Sequence, residues 1–182
     1  VSNPNALSPI LFSSDQSHYS CKKVCNILQI RQKLLPSLSN GELDLTSFKL
    51  ALNKHLDTHP EIPVIMWLNA GTTVLGAVDN LDSVHEILAN EASKKGSSFA
   101  IHIDGAILGI ALPLLYPEYS SIFQYTDTLS LSGHKLLATT SVCGVALAKK
   151  KIITKAFNAG NTIGYVNDIK DTTVTGGRSS YP

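Results

Sequence analysis

Apolar positions along this chain fall into short unbroken runs separated by stretches with helical spacing. Val64-Ile65-Met66-Trp67-Leu68 is the clearest run, closed by the small and polar residues Asn69-Ala70-Gly71-Thr72-Thr73. Unbroken apolarity over strand length signals burial on both faces, as in a parallel sheet. Residues 9–13, 99–103 and 128–131 read the same way. Between them, three stretches predict helices. One begins near Ser17 as cap, with Tyr19, Val24, Ile27 and Leu28 at helical spacing; a second covers 45–56; a third covers 81–95. In the third, Val84, Ile87, Leu88 and Ala92 face inward, Lys94 and Lys95 complement the dipole at the C-terminus, and Gly96 ends it. Ser37–Gly41 is a polar turn, and Pro60 and Pro63 break the chain before the central run. Residues 141–148 predict an antiparallel return, 149–157 a further helix, and the remainder is rich in loops.

Strand, helix, strand, helix, strand in this order predicts an α/β fold with a mostly parallel sheet. In such sheets chemistry gathers beyond the carboxyl ends of the strands. Three predicted strands end in polar residues of chemical interest: Thr72 and Thr73, Asp104, and His134 with Lys135.

Composition narrows the picture. A chain of 182 residues with 43% hydrophobic and 16% charged residues holds one ordinary domain and excludes disorder. Fifteen Lys and Arg against fourteen Asp and Glu leave a net charge of +1 without a basic block, which argues against nucleic acid as a partner. The longest apolar stretch, 106–116, contains Pro113 and falls short of the ~20 residues a membrane span requires, so it reads as buried interior. The three cysteines, Cys21, Cys25 and Cys143, are odd in number and irregular in spacing, which suits reduced thiols in the cytoplasm. Cys21 and Cys25, four apart, read as buried thiols because a metal site there would need two further ligands. The chain starts at Val1 rather than Met and stops at Pro182 just past a glycine-rich turn, so a piece of a longer protein is expected.

Lys135 is the sharpest chemical candidate. It follows Ser132-Gly133-His134 and precedes Leu136-Leu137. A lysine partly shielded from water has a lowered pKa, and its amine becomes a nucleophile able to form a Schiff base; the alternative is a surface lysine. Asp104 ends a buried strand, where a carboxylate needs a cation or several donors. It reads either as a cap for the following segment or as the counter-ion of a protonated ring nitrogen. His18 lies between a strand and a helix, suited to capping or to presenting a flat ring. Thr72 and Thr73 offer donors for an anion or serve a turn. His55 and His59 are four apart but lack a third ligand, so no metal is expected and a solvent-exposed face is favoured. Arg178, after Gly176-Gly177, is a surface turn or an anion clamp. Phosphate-loop, dinucleotide, zinc-protease and serine-esterase signatures are absent.

The segments SSDQSHYSCKKVCNIL, NAGTTVLGAVDNLDSV, IHIDGAILGIALPLL, TLSLSGHKLLATTSVCGVALAKK and DTTVTGGRSSYP resemble, in order and over nearly the whole chain, the group II pyridoxal-phosphate-dependent amino-acid decarboxylases. The likeness is to their histidine decarboxylase-like branch, which includes the plant serine decarboxylases. It implies the large domain of a fold-type I enzyme: a three-layer α/β unit around a mostly parallel sheet, present in part over residues 1–182. It implies pyridoxal 5'-phosphate as cofactor, with Lys135 as the aldimine lysine and His134 and Ser132 near the phosphate. Asp104 would pair with the pyridinium nitrogen, His18 and Ala106 would pack on opposite ring faces, and Thr73 would sit near the ring. Arg178 falls where the family usually writes Gly-Ser-Arg-Asn-Gly, whereas this chain has Gly176-Gly177-Arg178-Ser179-Ser180. The implied activity is removal of CO2 from an amino acid, histidine first and serine second, by a homodimer. Family members are about twice as long, with an upstream phosphate loop and a C-terminal small domain that the resemblance does not find here. The alternative is a truncated or non-catalytic relative that keeps the fold and dimer surface.

Overall fold

The computed structural model describes residues 7–152 and the backbone of two further strands at 161–163 and 169–171. The elements run β1 (Ile10–Ser14), α1 (Tyr19–Leu28), β2 (Arg31–Leu35), α2 (Leu45–Thr58), β3 (Val64–Asn69), α3 (Leu81–Lys95) and β4 (Phe99–Asp104). After them come α4 (Ala111–Leu115), a 3-10 turn, α5 (Ser121–Tyr125), β5 (Thr128–Ser132), β6 (Gly144–Ala148), β7 (Asn161–Ile163) and β8 (Ile169–Asp171). Six strands form one sheet in the order β2-β1-β3-β4-β5-β6. The first five are parallel, and β6 returns antiparallel along β5, as its spacing predicts. β7 and β8 form a separate antiparallel pair.

Alternation along the strands divides the sheet into two unequal faces. On one, Phe12, Met66, Leu68, Ile101, Ile103, Leu129 and Leu131 pack against Phe48, Leu52 and Leu56 of α2 and Val84 and Leu88 of α3. This is the main core. On the other, Leu11 and Trp67 meet Cys21 and Cys25 of α1. The helices begin where their capping residues dictate. Asp44 accepts from the backbone N–H of Thr46 at 2.9 Å and of Ser47 at 3.3 Å, and Asn80 accepts from Ser83 at 3.0 Å. α3 ends at Gly96, whose φ of 66° lies in the left-handed region that favours glycine.

Several expectations need correction. β2 was not foreseen: its Arg31-Gln32-Lys33 start is polar because it is an edge strand, largely exposed, where charge discourages pairing with other chains. α1 is capped by His18 rather than Ser17, and it buries the cysteines while Tyr19, Ile27 and Leu28 stay exposed. The 106–116 stretch is not uniformly interior, because Leu114, Leu115 and Tyr116 are exposed. His55 does not face solvent. It is buried at the edge of the core with Nε2 3.3 Å from the Ile62 carbonyl, while His59 pairs with Glu61 at 3.5 Å. Most of the helix expected over 149–157 lies outside the described residues.

Candidate active site

Four neighbouring parallel strands deliver the chemically interesting residues to one edge of the sheet. In the register, Ser13 of β1 lies beside Trp67 of β3, Asn69 of β3 beside Asp104 of β4, and Asp104 beside Ser130 of β5. The segments leaving those ends carry His18 after β1, Thr73 after β3, Ala106 after β4, and His134 and Lys135 after β5. Residues far apart in sequence are thereby gathered at one carboxyl edge.

Asp104 is half-buried, and its Oδ1 accepts the backbone N–H of Ala106 at 3.1 Å. This closes a local turn and engages one carboxylate oxygen. Asp104 does not cap a helix as the alternative expected, because α4 begins only at Ala111 with Ile110 at its cap position. The chain then turns through Gly105, whose N–H donates to the Ser130 carbonyl at 2.9 Å. A Cβ at Gly105 would lie 2.7 Å from the Gly109 Cα and 2.8 Å from Leu129, so only glycine fits this turn. Ala106 and Ser132 are half-buried above an apolar cavity of about 170 Å³ that Ile107, Leu131, Leu136 and Val145 also line.

His134 and Lys135 are exposed, and the Lys135 N–H donates to the Ser132 carbonyl at 3.3 Å. The partial shielding expected of Lys135 is not supplied by the described residues. His134 Nδ1 lies 3.1 Å from the Cys143 carbonyl. Of the threonine pair, Thr72 is buried and its hydroxyl accepts the Ala77 N–H at 3.0 Å, whereas Thr73 is exposed. Arg178 lies outside the described residues.

Two features escaped the sequence reading. His102, two residues before Asp104 and on the same face, packs on Trp67 with ring centroids 4.2 Å apart. Its Nδ1 lies 2.8 Å from the Thr128 hydroxyl. Burial pulls its pKa down to about 4, against a smaller opposing pull from the Asp104 charge. Among the described residues, His102 Nε2 and Trp67 Nε1 are buried without a hydrogen-bond partner. The second feature is a clasp. The Asn69 side-chain amide donates to Asp79 at 2.9 Å and reaches the hydroxyls of Ser14 at 3.2 Å and Ser17 at 3.3 Å. It ties the end of β3 to the turn that carries His18. A polar residue closing a buried strand was its one sequence signal.

No three or more His, Cys, Asp and Glu side chains among the described residues are placed to hold a metal ion. No helix among them is long and apolar enough to cross a membrane. The three cysteines are free thiols, with Cys21 and Cys25 buried as expected. Burial pushes the Cys21 thiol up to about 12.

Residues 5–178 match the pyridoxal-dependent decarboxylase conserved domain. A histidine decarboxylase of Acinetobacter baumannii (strain ACICU) is 29% identical over 172 residues, 94% of this chain and 43% of that protein. A histidine decarboxylase of Raoultella ornithinolytica is 30% identical over 172 residues, 94% of this chain and 72% of its sequence. Among solved structures, L-methionine decarboxylase from Streptomyces sp. 590 superposes with a TM-score of 0.76 at 20% identity, over 96% of this chain and 48% of that one. Catharanthus roseus tryptophan decarboxylase gives 0.73 at 23% identity, over 96% and 37%. At these identities the structures speak to fold alone, and they agree with the α/β large domain expected. The chain spans less than half the length of the Acinetobacter relative. With the family model covering nearly all of it, the chain belongs to the pyridoxal-dependent decarboxylase family.

Proposed function

We propose that residues 1–182 form part of the cofactor-bearing large domain of a pyridoxal-phosphate-dependent carboxy-lyase, with histidine as first substrate and serine as second. The observation that carries this reading is the shared carboxyl edge of β1, β3, β4 and β5, where adjacent strands end in, or lead directly into, an imidazole, a hydroxyl-bearing loop, a carboxylate and a primary amine. The histidine decarboxylases among its relatives favour histidine over serine. A homodimer in the cytoplasm completes the proposal.

The donor set fits pyridoxal phosphate. Asp104 keeps one carboxylate oxygen beyond its contact with Ala106, as a partner for a protonated ring nitrogen would require. Gly105 and Ala106 put almost no side-chain bulk beside it, which suits a flat ring. Ser132 and His134 would hold the phosphate, Thr73 would lie near the ring, and His18 and Ala106 would flank it. When bound, the cofactor supplies an electron sink for the pair left behind as CO2 departs. The chain's own residues then have three tasks. Asp104 holds the ring nitrogen protonated by charge pairing. Lys135 would provide the amine that holds the cofactor and would serve as a proton carrier for the substrate Cα. His18 and Ala106 fix the ring plane, so that the bond to be broken can stand perpendicular to it.

The test is the visible absorbance of the purified chain with added pyridoxal phosphate, before and after borohydride, followed by peptide mapping. The reading expects a band that reduction fixes to the peptide bearing Lys135, and none with Lys135→Ala. Absence of any band, or fixation on another lysine, would overturn it.

A further inference from the structure

The helix that follows β1 starts on an unusual cap. Helix N-caps are ordinarily Ser, Thr, Asp or Asn, yet α1 is capped by His18, at φ −57° and ψ 146°. Its Nδ1 lies 3.3 Å from the backbone nitrogen of Ser20 and 2.8 Å from the Ser20 hydroxyl. A backbone N–H can only donate, so this long contact favours an Nδ1 that carries its lone pair. The hydroxyl then donates to the same nitrogen, and the proton of the neutral ring sits on Nε2. A ring protonated at both nitrogens has no lone pair left for the cap. The backbone contact is the longer and weaker of the two, so the Ser20 hydroxyl at 2.8 Å supplies most of the preference for this tautomer.

The ring is also held in place. The Tyr19 ring lies 4.1 Å from it at 46°. Before it, the Ser14–Ser17 turn is closed by a 3.1 Å hydrogen bond from the Ser17 N–H to the Ser14 carbonyl and gripped by the Asn69 amide. Among the described residues no hydrogen bond reaches Nε2, because the ring's contacts fall on Nδ1. His18, just after the carboxyl end of β1, thus keeps at the nitrogen not engaged by Ser20 a donor N–H rather than a basic lone pair.

We propose that Ser20 is a positioning residue that locks His18 as the Nε2–H tautomer, presenting a fixed hydrogen-bond donor to an anionic group bound at this edge. The inference rests on the reading of His18 as facing the cofactor, but the lock itself is a property of the chain alone.

The experiment is long-range proton–nitrogen correlation NMR of the histidine-labelled full chain without cofactor, with His18 assigned by loss of its signals in His18→Gln. The expected result is one Nε2–H species, a rise in the Nδ1–H form in Ser20→Ala, and recovery in Ser20→Thr. A chain in which His18 is mainly Nδ1–H, or a Ser20→Ala variant with an unchanged pattern, overturns the proposal. In the cofactor-loaded protein, Ser20→Ala should lower kcat roughly two- to tenfold, the worth of one hydrogen bond, while the absorbance band stays intact and Ser20→Thr restores the rate. If no band forms in the parent chain, the functional reading fails while the tautomer result still stands or falls independently.

Discussion

Asn69 grips Asp79 twice: its backbone N–H donates to the carboxylate at 2.7 Å and its side-chain amide at 2.9 Å. A third donor, the Leu43 N–H, reaches the same carboxylate at 2.8 Å. Both residues are buried, and burial outweighs the donors to raise the Asp79 pKa. Asp79→Asn keeps the shape but offers an amide NH2 where a donor already points. It should cost about 1–3 kcal/mol, the penalty for a buried unsatisfied polar group. The denaturation midpoint of the variant chain checks this, and an unchanged midpoint would mean the clasp carries no stability.

His102 makes stability depend on pH in a direction the structure fixes. Its pKa falls from 6.5 to about 4 on folding, so between those values the unfolded chain binds more protons. Its contribution is complete above pH 6.5 and drains away as pH falls toward 4, by at most roughly 3 kcal/mol. Denaturant melts of the parent and of His102→Gln across this window should show the steeper loss in the parent. Parallel curves would refute the assignment.

Gly105→Ala tests the turn beneath Asp104. The added methyl meets the end of the Leu129 side chain at 2.8 Å and the Gly109 backbone at 2.7 Å, and the backbone does not yield easily. Overpacking of this kind costs about 1–3 kcal/mol. The melting temperature of the variant should fall, and cofactor uptake should weaken with it, since the turn sets the Asp104 and Ala106 backbone.

Asp104→Ala separates binding from chemistry. The variant should keep part of its cofactor absorbance, because Lys135, His134 and Ser132 remain, yet lose nearly all turnover once the ring nitrogen lacks its counter-charge. Turnover close to that of the parent would remove Asp104 from its role.

The central strands were legible because Val64 to Leu68 is apolar without interruption, a form only a strand covered on both faces needs. Their polar endings, at Asp104 and at Ser132 to Lys135, pointed to the candidate edge because polar residues are out of place at the end of a buried run. β2 was hidden because an edge strand such as Arg31-Gln32-Lys33 is selected for charge, which erases the apolar signature. α1 misled because its buried face is made of two small thiols while bulkier Tyr19, Ile27 and Leu28 lie outside. His55 gave no hint of burial, since its partner is a main-chain carbonyl seven residues away. The Asn69 clasp joins β1, β3 and a loop, and contacts between elements leave no periodic trace in a sequence.

The order of the strands has a kinetic meaning. The residues of the candidate edge come from β1, β3, β4 and β5 or the segments that follow them, and these strands are not sequential neighbours throughout: β2 is made between β1 and β3 and lies on the far side of β1. Parallel strands cannot zip from a hairpin, and each must wait for a crossover to close, which makes such sheets slow to form. The segments carrying His18 and Lys135 therefore reach the same edge only when β1, β3, β4 and β5 are in register. Refolding followed by cofactor absorbance should consequently lag behind refolding followed by helix content, and the site should be among the last things this chain completes.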